Sequence, residues 1–274
     1  MSTRIEWSQV KVIASKELRD RLRNRWVLAV AIIFALFALA IAYFGAAQQG
    51  EVGFHGVDAT VASLVSLVIY LVPLIALILG YDAIVGERER GSLELLQSMP
   101  ITRAEILLGK YLGLAGALAG ATVVGFGAGL LPLSAELTVR DGYHYAGFVL
   151  SAVLMGMAFL SISVLLSVIA SDRVRASGAA IGLWFFYVLI FDLLLMGGLV
   201  MSQGKLSSAL FGAILMFNPA DVFRLLNIFS SEQVQTMYGL STVMPGALTD
   251  PLVLLAIMLG WIAVPFLFAI RRFK

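Results

Sequence analysis

Six stretches of this 274-residue chain run for 19 or more residues almost without charge: Trp26–Ala46, Ala59–Tyr81, Tyr111–Ala135, Ala146–Ala170, Ala176–Gly204 and Leu252–Ile270. Only Asp192 interrupts them. About 20 helical residues, each rising about 1.5 Å, cross the roughly 30 Å of a bilayer's hydrocarbon. Within lipid a chain must satisfy its own backbone hydrogen bonds, which leaves helices or closed barrels. A barrel would show short alternating segments, and these runs are long and unbroken. The expected fold is all-α integral membrane, with six transmembrane helices in a single domain spanning 1–274. Hydrophobic residues make up 60% of the chain and charged residues 13%, with a mean hydropathy of +0.95. Ordinary soluble domains are nearer half apolar and a quarter charged, so a soluble enzyme, a disordered chain and a nucleic-acid binder are excluded.

The few charges orient the spans. Sixteen of the nineteen Lys and Arg residues fall in the N-terminal 25 residues, the 82–110 loop, the 171–177 loop and the tail. Arg140, Lys205 and Arg224 fall on the other side. The positive-inside rule then places both termini in the cytoplasm. Gly45 and Ala47 resemble a signal-peptide cleavage site, but the apolar run before them is too long and follows a long charged segment. There are no cysteines, which excludes disulfides, thiolate zinc sites and iron–sulfur clusters. His55 and His144 are too few for a histidine metal site, so neither metal ligands nor catalytic residues are expected.

Two cytoplasmic elements stand out. Residues 1–25 hold an amphipathic helix, with Val10, Ala14, Leu18 and Leu22 four apart and Ile13 beside them. Lys16–Asp20 and Glu17–Arg21 are helix-supporting pairs. This elbow helix would lie along the inner headgroups with its basic face toward anionic lipid. It reads equally as a topology anchor or as one wall of a groove for a cytoplasmic partner. The 82–110 loop carries Glu87, Arg88, Glu89 and Arg90, then Gly91, then a leucine-bearing segment that Pro100 stops. Thr102 and Glu105 form a capping box with Ile101 and Ile106 placed as a staple, so a new helix begins near Arg103. A short helix over Ser92–Met99 is thereby isolated, and Leu93, Leu96 and Met99 can share its face beside Glu94. Apolar side chains among charges suit protein docking, or an interfacial helix packed on the chain's own core.

Inside the membrane, Gly109, Gly113, Gly116, Gly120, Gly125 and Gly129 in the third span and Gly178 and Gly182 in the fifth permit close helix approach, within the chain or in a dimer. Asp192 would cost roughly 2.5–3.5 kcal/mol facing lipid, so it should face protein or water, as a substrate or gating contact or as a buried helix–helix hydrogen bond. Met155, Met157, Met196 and Met201 offer thioethers that suit Cu(I), although methionine also fills gaps in membrane cores. The 201–251 segment is the long loop of the opposite side. Ala209–Phe217 is too short to span, so it is re-entrant or interfacial. Asn218 and Pro219 then start a helix with Asp221 in its first turn. Val222, Leu225, Leu226 and Phe229 give that helix an apolar face, leaving Arg224 and Asn227 to point elsewhere. It reads as a lid over the outer pore or a dock for a periplasmic partner.

The stretch Glu87-Arg-Glu-Arg-Gly-Ser-Leu-Glu-Leu-Leu, continuing through Met99-Pro-Ile-Thr-Arg-Ala-Glu-Ile-Leu-Leu-Gly-Lys-Tyr-Leu-Gly113, resembles the signature of type-2 ABC transporter permeases. Ala14-Ser-Lys-Glu-Leu-Arg-Asp20 resembles their elbow. Within them the chain is similar to the permeases that serve maturation of the copper sites of nitrous oxide reductase. The residues are Tyr81–Glu87, Trp184-Phe185, Phe191-Asp192, Asn218-Pro219, Asp221, Arg224 and Asn227. The resemblance implies a multi-pass protein of the bacterial inner membrane that pairs as a homodimer. It implies a dimer of a separate cytoplasmic ABC ATPase, holding ATP and magnesium, docked on a coupling helix in the 82–110 loop. It also implies a periplasmic beta-helical protein on the outer face. No phosphate-loop pattern contradicts this, since Ala104 and Tyr111 break it around Gly109-Lys110. Export of a lipid-linked or amphiphilic substrate, and a non-transporting scaffold driven by ATPase motion, stay open beside it.

Overall fold

The computed structural model describes residues 5–44, 57–131, 138–203, 207–228 and 250–273. The expected positions at His55, Gly45, Ala47, Lys205 and Phe229 lie outside them. The described residues form α1 (Trp7–Arg23), α2 (Trp26–Phe44), α3 (Val57–Gly80), α4 (Val85–Glu89), α5 (Ser92–Gln97), α6 (Arg103–Gly129) and α7 (Val139–Ile169). Then come α8 (Arg173–Phe185), a π turn (Phe186–Ile190), α9 (Phe191–Met201), α10 (Ser208–Leu215), α11 (Pro219–Ile228) and α12 (Pro251–Arg272). Among the described residues six helices are long and apolar enough to cross a membrane: α2, α3, α6, α7, the continuous α8–π–α9 rod and α12. They coincide with the six apolar runs.

Local chemistry sets the helix ends. The Thr102 hydroxyl accepts from the Glu105 amide while the Glu105 carboxylate takes the Thr102 amide, completing the predicted capping box. Thr138 and Asp141 repeat the device at α7. Asp172 caps α8, and Asp250, followed by Pro251, caps α12.

Burial is greatest in α7 and α6, where 67% and 56% of the most apolar stretch lies inside the protein. α1 and α2 follow α6 in the same direction: Glu6 meets Glu105, Ile13 meets Gly109, Glu17 meets Gly113, Phe34 meets Gly125 and Ala38 meets Gly129. At Gly113 a Cβ would lie 2.6 Å from Glu17 Cβ and 2.7 Å from the Ala14 carbonyl oxygen, so only glycine lets α1 approach this closely. At Gly125 the same atom would meet Phe34 Cβ at 2.5 Å. These glycines therefore serve packing within the chain, whereas Gly120, Gly178 and Gly182 have nothing within 4 Å. The α1 stripe differs from the expected one. Glu17 is buried and Leu22 is 52% exposed, because Lys110 of α6 gives the carboxylate a partner inside. A run of aromatic contacts, Phe34–Phe126–Phe148–Phe223, binds α2, α6, α7 and α11 together.

On the side opposite α1 and the α4–α5 loop, α10 and α11 bend by 112° at their junction. Asn218 makes this corner: its Oδ1 accepts from the Ala220 amide, the N-cap bond expected of Asn-Pro. α11 is lodged among α7, α12 and α3, with Ala220, Val222, Phe223 and Leu225 all 3% exposed or less.

Candidate functional site

The charged loop between the second and third spans is braced from within. Lys110, 4% exposed, donates to Glu87 at 2.7 Å and to Glu17 at 3.3 Å. Glu17 also takes two bonds from Arg21, at 3.0 and 3.2 Å. Burial pushes the Glu17 carboxyl up, but the charges of Lys110 and Arg21 and their hydrogen bonds outweigh it and hold the group below its ordinary value. Lys110 shares a helix face with Gly109 and Gly113, so an ammonium on the glycine face was the signal that a carboxylate would come down on it. Glu105 bridges likewise, accepting the Glu6 amide at 2.6 Å beside its capping bonds.

The rest of the loop is bound to the turn between the fourth and fifth spans. The Ser167 hydroxyl oxygen accepts from the Ile84 and Val85 amides at 2.9 and 3.1 Å. Arg88 donates to the Val168 and Ala170 carbonyls at the end of α7. Arg173 grips both oxygens of Asp82 at 2.5 Å, and its amide donates to Glu89 at 2.7 Å. Arg90 reaches Asp82 and the Gly86 carbonyl. Glu87, Arg88, Glu89 and Arg90, expected at a docking surface, thus all have partners inside the chain. Gly91, at φ 72°, turns the chain into α5. Leu93 is 5% exposed and Leu96 is half-buried, so both face inward. What α5 and its end present outward is Leu95 at 68% and Met99 at 52%, four residues apart, flanked by Glu94, Ser98 and Pro100. Leu95 was missed because three-residue spacing from Leu93 suggested the other face. Between this loop and α1 lies a cleft of about 490 Å³, lined by charged groups of both signs and by Leu96.

On the opposite side the structure brings four predicted residues into one network. Asp192 pairs with Arg224 at 3.1 Å, and Arg224 donates to Asp221 at 2.7 Å. Asn218 donates to Asp221 and to the Tyr187 carbonyl, both at 2.9 Å. That carbonyl lies in the π turn, whose wider winding frees backbone acceptors. Asp192 is thus not isolated; it lies against Arg224 of α11 as the fifth span's member of the network. Asn227 is separate, donating to Ser151 of α7 at 3.0 Å and to the Phe223 carbonyl. A second cavity, of about 560 Å³, opens beside α9 and α10 between Phe186, Phe191, Leu195 and Phe211.

The methionines do not converge. Met155 is buried in the core while Met196 and Met201 are 67% and 87% exposed. Among the described residues no group of three or more His, Asp or Glu side chains is placed to hold a metal ion.

Residues 11–274 match the family described as ABC-2 family transporter protein. The chain is 50% identical over 223 residues, 80% of its own length and 81% of the relative's, to a probable ABC transporter permease protein NosY of Pseudomonas aeruginosa. It is 42% identical over 271 residues, 97% of its length and 98% of the relative's, to a protein of the same name from Stutzerimonas stutzeri. A match of this extent, on a bundle of six apolar spans with a braced charged loop, means that the chain belongs to the ABC-2 family of transporter proteins as a permease, the multi-pass membrane subunit of an ABC transporter.

Proposed function

We propose that two copies of this permease form the membrane part of a complex in the bacterial inner membrane, with both termini in the cytoplasm. A dimer of a separate ABC ATPase, carrying ATP and magnesium, docks on the α4–α5 loop. Its closure is passed through the spans to the α10–α11 corner and on to a periplasmic beta-helical protein, in maturation of the nitrous oxide reductase copper sites. The observation that carries this reading is the outward pair Leu95 and Met99 on a loop whose Glu87, Arg88, Glu89 and Arg90 are all bonded within the chain. A rigid loop ending in an apolar knob suits the delivery of force from a partner chain. Asn218, Asp221, Arg224 and Asn227 serve in it as the gate on the outer face. The near-complete burial of α11 supports a lid, and Phe217, 69% exposed at the corner, is the group left for a periplasmic partner.

Co-purification tests it. Leu95→Asp with Met99→Asp should leave the permease folded, since both side chains face water, and should abolish retention of the co-expressed ATPase. Undiminished retention would remove α5 as the docking element.

The 560 Å³ apolar cavity beside α9 favours a second reading, export of an amphiphilic or lipid-linked substrate. Mass spectrometry of the purified complex separates the two, because an exporter would carry such a molecule there. A scaffold that transports nothing would keep its function in Asp192→Leu.

A further inference from the structure

The fifth span is the most weakly buried of the six. Only 11% of its most apolar stretch lies inside the protein, against 67% for α7, and α9 has no buried side chain at all. The rod's buried apolar side chains are limited to Ala176, Ala180 and Val188, with Tyr187 packed on Phe159 and Trp261, and beside these it is held by polar bonds at a few points. At one end are Arg173–Asp82 and the Arg173 amide on Glu89. Midway, the Trp184 indole donates to the Tyr70 carbonyl at 2.9 Å. Toward the other end are Asn218 on the Tyr187 carbonyl and Arg224 on Asp192.

The α4–α5 loop accordingly has two attachments of different character. Through Arg88 and Ser167 it is fixed to α7, the most deeply packed helix of the bundle. Through Asp82 and Glu89 it holds α8, which otherwise rests on α3 and α7 with only Ala176 and Ala180 buried. Between α7 and α8 the chain is extended at Ala170 and Asp172, a short joint where the rod can pivot. The geometry points to Arg173 as a positioning residue that converts displacement of the loop into movement of the fifth span, which in turn resets the Asp192–Arg224 pair on the opposite face. This rests on the reading of the loop as the ATPase-coupling element. Arginine suits the task because its fork locks both carboxylate oxygens and so transmits direction, which a point charge does not.

The chain has no cysteine, so introduced ones carry spin labels cleanly. Labels at Met201 and Val139, 87% and 80% exposed at the far ends of α9 and α7, report movement of the fifth span against the fourth. In the permease–ATPase complex in nanodiscs, the Met201–Val139 distance should shift between the nucleotide-free and the ATP-trapped states. Arg173→Met should abolish that shift while the ATPase stays bound and hydrolyses ATP, and Arg173→Lys should keep part of it. Exchange of the two charges, Asp82→Arg with Arg173→Asp, should restore it. An undiminished shift in Arg173→Met, or no shift in the unmodified complex, overturns the assignment. Should Arg173→Met fail to assemble, Asp82→Asn breaks the same bond from the other side and is read in the same way. Failure of the unmodified permease to bind an ATPase would instead remove the functional reading beneath it.

Discussion

The charges that matter most in this permease are those that left water. Glu17 is one: its carboxyl is held below its ordinary value of 4.5 by Lys110 and Arg21 against the cost of burial. A group depressed in this way adds stability above its unfolded pKa and loses it as pH falls through the folded value. The melting temperature of the detergent-solubilised permease should therefore hold from neutral pH down to about 4.5 and drop below it. Glu17→Gln should lower the neutral value and flatten the acid limb. Arg224 offers a sharper contrast. Asp221 is 1% exposed, whereas the Asp192 side chain is 41% exposed. Arg224→Met leaves Asp221 inside without its cation, a loss of about 1–3 kcal/mol for a buried polar group that loses its partner. Asp192→Asn leaves Arg224–Asp221 intact and should cost about 1 kcal/mol or less, as for partly exposed pairs. Thermal unfolding of the two variants measures the difference directly.

At the scale of elements, the spans were legible because lipid imposes one rule on every residue of a crossing helix. The capping box at Thr102 and the Asn218-Pro219 start were legible for a similar reason: each is complete within four residues. The facing of α1 was not, since its stripe was counted by hydropathy and the structure placed a carboxylate in it. That choice was made by Lys110, 93 residues away, which no local pattern contains. The same holds for α5, whose outward side was decided by Leu93 finding the core. Close approach of α1 to α6 rests on Gly113, so Gly113→Leu should push the helices apart and cost roughly 1–3 kcal/mol, as overpacking does. Gly120→Leu, on the same helix with nothing within 4 Å, should be nearly neutral. Comparing the two by melting and by protease access to α1 tests whether the glycines act within the chain.

For the molecule as a whole, the uneven burial of the spans suits the proposed homodimer. A rod as open as α8–α9, with Gly178 and Gly182 facing empty space, has the surface a membrane homodimer would use. The native mass of the purified permease should be twice that of one chain, and Gly182→Trp should shift it toward the monomer while Gly120→Trp does not. The candidate site was legible in its membership, since Asp192, Asn218, Asp221 and Arg224 were all singled out, but not in its geometry. Their joining depends on the π turn. Such a turn takes one residue more than an α-helix, and one residue is about 100° of rotation. An extra residue there changes the facing of those beyond Ile190, Asp192 among them, which lies before Arg224, 32 residues further on. In evolutionary terms the length of the fifth span is thus tied to the identity of a residue in a different helix. A lineage that lost the extra residue would keep a perfectly good membrane helix and lose the bond, so deletion there and replacement of the arginine are expected to travel together.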